Sequence, residues 1–212
     1  MSLTKSKDCD LILYTNPQSR GQIVRWMIEE IGADYRQEII EYGEVMKSDK
    51  FLKINPMGKV PAIMHKGKSI TECAAICAYL ADAFPNANLA PPQMERAEYY
   101  RWLFFAAGPL EAAITNRSLK IEVSNEQQRM VGYGCYEKVL DVLSGAICAN
   151  DYIAGDQFSA ADVYVGSHVM WGMMFGTIEK RPEFEAYAAK LNKRIAYITA
   201  SAIDMELIQN DN

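Results

Sequence analysis

The sequence predicts an α/β layer on a mixed four-stranded sheet, followed by an all-α bundle. Three observations carry this. Up to about Phe84, short β-type runs alternate with helical spacing. Residues 85–92 then hold three prolines. Beyond them strand signals vanish and helical spacing dominates. Strands alternating with helices make an α/β layer, whereas helices alone pack on one another. The expected organisation is residues 1–84, a linker at 85–92, and an all-α region at 93–212.

Asp10–Tyr14 is a short apolar run that stops at Asn16-Pro17, so it reads as a strand ending in a turn. From Ser19 the spacing becomes helical, with Ile23, Trp26, Met27, Glu30 and Ile31 three and four residues apart. Gly32 stands where that helix would close. Tyr35–Ile40 reads as a second strand, and a short helical stretch follows through Phe51 and Leu52. Val60–Met64 and Lys68–Ile70 form a hairpin about His65-Lys66-Gly67-Lys68. A helix begins at Thr71 or Glu72, with Ala75, Ile76, Tyr79 and Leu80 on its apolar face. The order is β-α-β-α-β-β-α, and the closing hairpin makes the sheet mixed. In the second part helical spacing covers residues 93–116, 125–149, 159–175 and 183–205. Ser159-Ala-Ala-Asp162 is an N-terminal capping box, with Phe158 and Val163 as its hydrophobic staple. Asp162 is expected to be buried and costly to remove.

Composition excludes several classes. Half of the 212 residues are apolar, enough for a core of normal size, which excludes intrinsic disorder. No apolar run approaches membrane-spanning length, and the polar residues 1–10 are expected to carry no secretory signal. Net charge is −5. Residues 1–82 carry 11 basic and 11 acidic side chains, so the acidic excess lies in the second part. No basic face appears, which excludes a nucleic-acid footprint. Five cysteines at irregular spacing read as reduced thiols in the cytoplasm, not as a disulfide framework. Two distant histidines and no CxxC give no metal site.

Four motifs in order resemble the cytosolic, bacterial glutathione S-transferase family over roughly residues 10–205. They are Tyr14-x5-Arg20-x4-Arg25-Trp26, Asn55-Pro-x-Gly-Lys-Val-Pro61, Glu72-Cys73-Ala-Ala-Ile76-x2-Tyr79-Leu80, and Phe158-Ser159-Ala-Ala-Asp162. The resemblance implies a thioredoxin-like domain before the helical one, with glutathione as cosubstrate and no metal. It also implies a cis Val60–Pro61 bond that turns the Val60 backbone outward, to pair with the cysteinyl part of glutathione like an added strand. The α-amino group of the γ-glutamyl end is expected at Glu72. The helix start carries Cys73 where the family has Ser or Thr. A thiol is a weaker hydrogen-bond donor, so the side-chain contact should weaken while the backbone N–H remains. Lys59 is placed for the glycyl carboxylate, and Arg20 for holding the thiolate.

The expected chemistry is activation of the thiol. Free cysteine has a pKa near 8.5, and only the thiolate attacks. Lowering that by about two units requires roughly 2.7 kcal/mol, within reach of one or two charge-assisted hydrogen bonds. Tyr14 and Ser19 are the candidate donors, and Asn16 is a weaker third. Tyr14 matches the tyrosine-type members, although many bacterial members carry a tyrosine there that does no catalysis. Ser19, at the expected N-cap of the first helix, matches the position of Ser or Cys in other classes. A small hydrophobic electrophile is expected between the domains, with Phe105 and Pro109 facing its pocket and Trp171 and Phe175 as further options.

The resemblance thus implies a cytoplasmic homodimer in detoxification, a transferase with no nucleic-acid or membrane partner. Two alternatives stand beside it. One is another glutathione-dependent enzyme (reductase, isomerase or dehalogenase). The other is a non-catalytic glutathione- or ligand-binding member, which the Cys73 departure keeps open.

Overall fold

Four strands form one sheet in the order β2-β1-β3-β4. They are β1 (Leu11–Thr15), β2 (Arg36–Ile39), β3 (Ala62–His65) and β4 (Lys68–Thr71), interleaved with α1 (Gly21–Ile31), α2 (Asp49–Leu52) and α3 (Cys73–Ala83). The computed structural model describes residues 9–210. The expected lack of a secretory signal falls almost wholly outside them. The described helices then continue with α4 (Ala97–Phe105), α5 (Glu111–Ser118), α6 (Tyr136–Ala149), α7 (Ala160–Phe175), α8 (Pro182–Leu191) and α9 (Ile195–Asn210). Two compact units result: the chain through Ala87 together with the segment from Arg194, and the stretch Asn88–Lys193. No described helix is long and apolar enough to cross a membrane.

In the first unit β1 runs parallel to β2 and antiparallel to β3, which pairs antiparallel with β4. Alternation divides the sheet into two faces. Leu11, Leu13, Ile63 and His65 are buried on one face. There His65 Nδ1 meets the Tyr79 hydroxyl of α3 at 2.9 Å. The start of α1 crowds the same face: a Cβ on Gly21 would lie 1.9 Å from Thr15 Oγ1. On the other face Tyr14, Ile54 and Val60 pack against a smaller cluster of Ile40, Met46 and Phe51. The β3–β4 turn has positive φ at Lys66 and Gly67, as a type I′ hairpin turn requires. Gly32 closes α1 in the left-handed conformation at φ 64°.

The helical periodicity over 183–205 resolves into α8 and α9, broken after Leu191. Helix α9 belongs with the first unit, because its polar groups meet those of α1. Arg25 is fully buried and donates from Nε to Asp204 at 2.9 Å, and from Nη1 to Tyr35 and Gln37 at 2.9 and 2.7 Å. Arg194 donates twice to Glu30 at 2.6 and 2.7 Å, and Trp26 sets its ring edge-on to Tyr197. The sequence motif Arg25-Trp26 is therefore a packing device.

In the second unit the expected helix over 93–116 is interrupted by a π-helical turn at Ala106–Leu110. Pro109 lies inside it and supplies no N–H to the helical ladder. Helical structure expected from residue 125 begins as α6 only at Tyr136, just after Gly134 at φ 70°. Ser159 and Asp162 form the capping box at the start of α7. Asp162 is fully buried and accepts from Ile153 N (2.8 Å), Ser159 N (2.9 Å), Ser159 Oγ (3.2 Å) and the Tyr187 hydroxyl (2.8 Å).

Asp162→Ala strands these buried donors, each worth about 1–3 kcal/mol when unsatisfied. The expected loss is at least ~3 kcal/mol in urea unfolding. A loss under about 1 kcal/mol would show that the box does not hold the unit together.

Asp204 gives a pH signature. Burial pushes its carboxyl up to about 6, against the opposing pull of Arg25. The unfolded value is about 3.9, so between the two the folded chain binds the extra proton. This contribution is fully present below about pH 4 and is lost as pH rises through about 6. Relative to Asp204→Asn, wild-type stability should fall by ~2–3 kcal/mol from about pH 4 to pH 7. A constant difference between the two proteins across that range would contradict it.

Candidate active site

The strand register assembles the site. Glu38, Tyr14, Ala62 and Thr71 lie in one row across the sheet. At this edge β1, β2 and β4 end and β3 begins. The loops that carry Asn16–Arg20, Val60-Pro61 and Glu72-Cys73 therefore leave the same edge.

Tyr14 is half-buried, with its ring 6.1 Å from that of Phe51. Burial raises its phenol pKa, Glu38 adds to this, and Arg36 opposes it. The phenol therefore keeps its proton at neutral pH. Among the described residues no protein acceptor takes the hydroxyl proton.

Ser19 differs. Its hydroxyl donates to the Asn16 carbonyl at 2.6 Å and accepts from Gly21 N at 2.9 Å. The N-cap of α1 is Arg20 rather than Ser19, because the first bonds are of the i→i+3 kind, from Gln22 N to Ser19 O and Ile23 N to Arg20 O. Arg20 is exposed at this cap. Asn16 is buried, with Nδ2 on the Ile40 carbonyl at 3.2 Å and Oδ1 accepting from Gln18 N at 3.0 Å. Its side chain fastens the loop and faces no open space.

Across the edge, Cys73 Sγ points to the Arg20 carbonyl at 3.6 Å, so the start of α3 touches the start of α1. Cys77, one turn on, is buried in the core. Glu72 precedes α3 at φ 64° and ψ 117°, a conformation costly for a residue with a Cβ. It is exposed, and among the described residues nothing pairs with its carboxylate.

The Val60–Pro61 bond is cis, as the family resemblance implies. β3 begins after it, at Ala62. Among the described residues no backbone group pairs with Val60 N–H or C=O. Lys59 is exposed beside it. Asn55 and Lys47 were not singled out as site residues by sequence, yet both frame this loop. Asn55 stands in the quoted motif, and its position ahead of Gly58 is a turn signal. Lys47 Nζ donates to the carbonyls of Gly58 and Met57 at 2.7 and 3.1 Å, and nothing in its sequence context marks it.

Phe105 and Pro109 lie in the second unit. Phe105 is half-buried with its ring edge-on to Trp102, and Pro109 is half-buried in the π turn. Trp171 is half-buried and Phe175 exposed on α7. Among the described residues no group of three His, Cys, Asp or Glu side chains stands close enough to hold a metal.

These features define a thioredoxin-like domain with an open peptide edge beside a helix N-terminus, followed by a helical domain. The sequence pattern of the glutathione S-transferase N-terminal domain matches residues 9–82. A glutathione S-transferase of Xanthomonas campestris is 30% identical over 142 residues, 62% of this chain and 68% of that one. A probable glutathione S-transferase of Nicotiana tabacum is 29% identical over 198 residues, 89% of this chain and 83% of that one. The solved structure of a sphingomonad glutathione S-transferase complexed with glutathione superposes at TM-score 0.73 and 27% identity, covering 91% of this chain and 98% of that one. The chain belongs to the glutathione S-transferase family.

The backbone at Glu72 gives a stability test. Glycine relieves the positive φ and alanine does not. Glu72→Gly should therefore be more stable than Glu72→Ala by about 1 kcal/mol in thermal unfolding. Equal stability of the two variants would mean the conformation costs nothing.

Proposed function

We propose that the protein is a glutathione transferase that binds glutathione along this edge and turns its thiol on a small hydrophobic electrophile. The observation that carries the reading is the convergence of Tyr14, Val60 and Glu72-Cys73 on one sheet edge through the strand register. In this reading the unpaired Val60 N–H and C=O take the cysteinyl backbone. The exposed Glu72 carboxylate takes the α-amino group. The first N–H groups of α3 take the γ-glutamyl carboxylate, where unpaired donors and the helix dipole favour an anion. Lys59 takes the glycyl carboxylate, and Arg20 adds positive charge near the sulfur. Phe105 and Pro109 are the proposed apolar contacts of the electrophile.

Tyr14 is the proposed thiol activator. Its hydroxyl proton is uncommitted, whereas that of Ser19 is spent on Asn16. The thiol loses its proton to solvent, and the phenol donates a hydrogen bond to the resulting thiolate without ionising. The sulfur lone pair then forms the bond to the electrophilic carbon, and the leaving group departs with its electron pair. The family reading also brings a cytoplasmic homodimer with a role in detoxification.

One observation favours a second reading, glutathione binding without turnover: the Cys73 thiol is directed at the Arg20 carbonyl, and a thiol replaces the expected hydroxyl.

The ultraviolet absorbance of the bound thiolate, followed against pH, separates the two. The transferase reading expects the bound thiol to titrate a unit or more below free glutathione. Tyr14→Phe should move it back and lower kcat about ten- to a hundredfold, the worth of one hydrogen bond to a charged group. Ser19→Ala should leave both near wild type. Full turnover in Tyr14→Phe removes the tyrosine assignment, and an unshifted thiol in the wild type favours binding alone.

A further inference from the structure

The peptide unit that carries the Val60 N–H is held by the side chain of Asn55. Asn55 is buried, at 3% exposure, and both ends of its amide are used. Oδ1 accepts from Met57 N at 3.0 Å, and Nδ2 donates to the Lys59 carbonyl at 2.7 Å. The first contact fixes which end is oxygen, since only an acceptor can face an N–H. The second holds a particular peptide unit: the Lys59 carbonyl and the Val60 N–H belong to the same planar amide. In a trans peptide these groups point in opposite directions. Gripping the carbonyl from inside the turn therefore turns the N–H outward.

The turn around Asn55 is rigid. Asn55 N donates to Phe51 O at 2.9 Å and Gly58 N to Asn55 O at 2.8 Å. Lys47 closes the outer side on the Gly58 and Met57 carbonyls. Gly58 has φ 56°, and a Cβ there would lie 2.8 Å from Met46 O. The carbonyls of residues 55, 57, 58 and 59 are thus all engaged, and the Val60 N–H remains open.

We propose that Asn55 is a positioning residue for glutathione: it holds the 59–60 peptide plane so that Val60 N–H faces the carbonyl of the cysteinyl residue. This rests on the glutathione-binding reading above. Asn55 touches no ligand, so its effect should fall on affinity and spare the chemical step.

Two measurements test it. In the ¹⁵N-labelled wild type, added glutathione should shift the Val60 amide resonance and slow its hydrogen exchange. Asn55→Asp keeps the acceptor for Met57 N and loses the donor to Lys59, and Asn55→Ser, without adding charge, shortens the side chain so that it cannot bridge Met57 N and the Lys59 carbonyl together. Both should raise KM for glutathione about three- to tenfold, the range of one neutral hydrogen bond, with kcat within about twofold. The Val60 shift at saturating glutathione should shrink in both. If Asn55→Asp does not fold, Asn55→Ser carries the comparison. An unmoved Val60 amide in a wild type that binds glutathione overturns the proposal and leaves the function standing. So does an unchanged KM in both variants, or a loss confined to kcat. Failure of the wild type to bind glutathione overturns the functional reading, and this inference with it.

Discussion

The pairing of β1 with both of its neighbours is the constraint on which the site depends. β1 has a parallel partner on one side and an antiparallel partner on the other, so the strand ends are not interchangeable. Its exit, the exits of β2 and β4, and the start of β3 all fall on one edge. A one-residue slip of β3 would carry Ile63 and His65 to the other face, away from α1 and α3. Ile63 is fully buried and His65 bonds the Tyr79 hydroxyl, so the slip would expose an apolar side chain and break that bond. Burial on one face thus sets the register, and the register brings distant loops together.

At that edge the protein uses two kinds of polar group. Asn16 and Asn55 are buried, and each spends its amide on loop backbone. Lys47 does the same from outside. A buried amide left unpaired would cost about 1–3 kcal/mol, so such groups are held in one arrangement. Glu72, Lys59 and the Val60 backbone are the opposite kind, exposed or unpaired among the described residues. The satisfied groups build a frame, and the unsatisfied ones are displayed by it. Glu72 adds a local cost, since φ 64° is unfavourable for any residue but glycine. A glutamate kept there despite the cost is what a contact made through its side chain would require.

The sequence was most legible where local chemistry decides structure. Gly32 at the end of α1, the Lys66-Gly67 turn and the Ser159–Asp162 box each stand where residue type alone places them. It was less legible where tertiary contact decides. Helix α9 shows no clear division into polar and apolar faces, and it is tied to the first unit by the buried Arg25–Asp204 pair, with Arg194 on Glu30 and Trp26 against Tyr197. The π turn at Ala106–Leu110 lies within continuous helical spacing, with Pro109 its one visible mark. At the site, the family resemblance makes Tyr14, Ser19, Val60 and Glu72 candidates, but hydrogen-bond direction is hidden in the sequence. Nothing in the string Asn16-Pro-Gln-Ser19 says that the serine proton goes to the asparagine carbonyl.

That direction bears on the chemistry. A thiolate needs a proton held near it and not given away. For Ser19 to donate, it must break its 2.6 Å bond to Asn16 O, leaving a carbonyl of the α1 loop without its hydroxyl partner. Asn16 O would keep the Ser19 N–H at 3.1 Å, so the loop would loosen without opening. The net gain from Ser19 is reduced by the loss of a protein hydrogen bond, whereas Tyr14 would exchange only solvent. Burial holds the Tyr14 proton more firmly than water would, and Glu38 reinforces this. A phenol of raised pKa is a weaker acid, so as the proposed donor it would stabilise a thiolate less per bond and would not lose its own proton at neutral pH. In the proposed reading the edge would thus offer a steady neutral donor rather than a strong one, which suits a nucleophile that must be stabilised without being tied down.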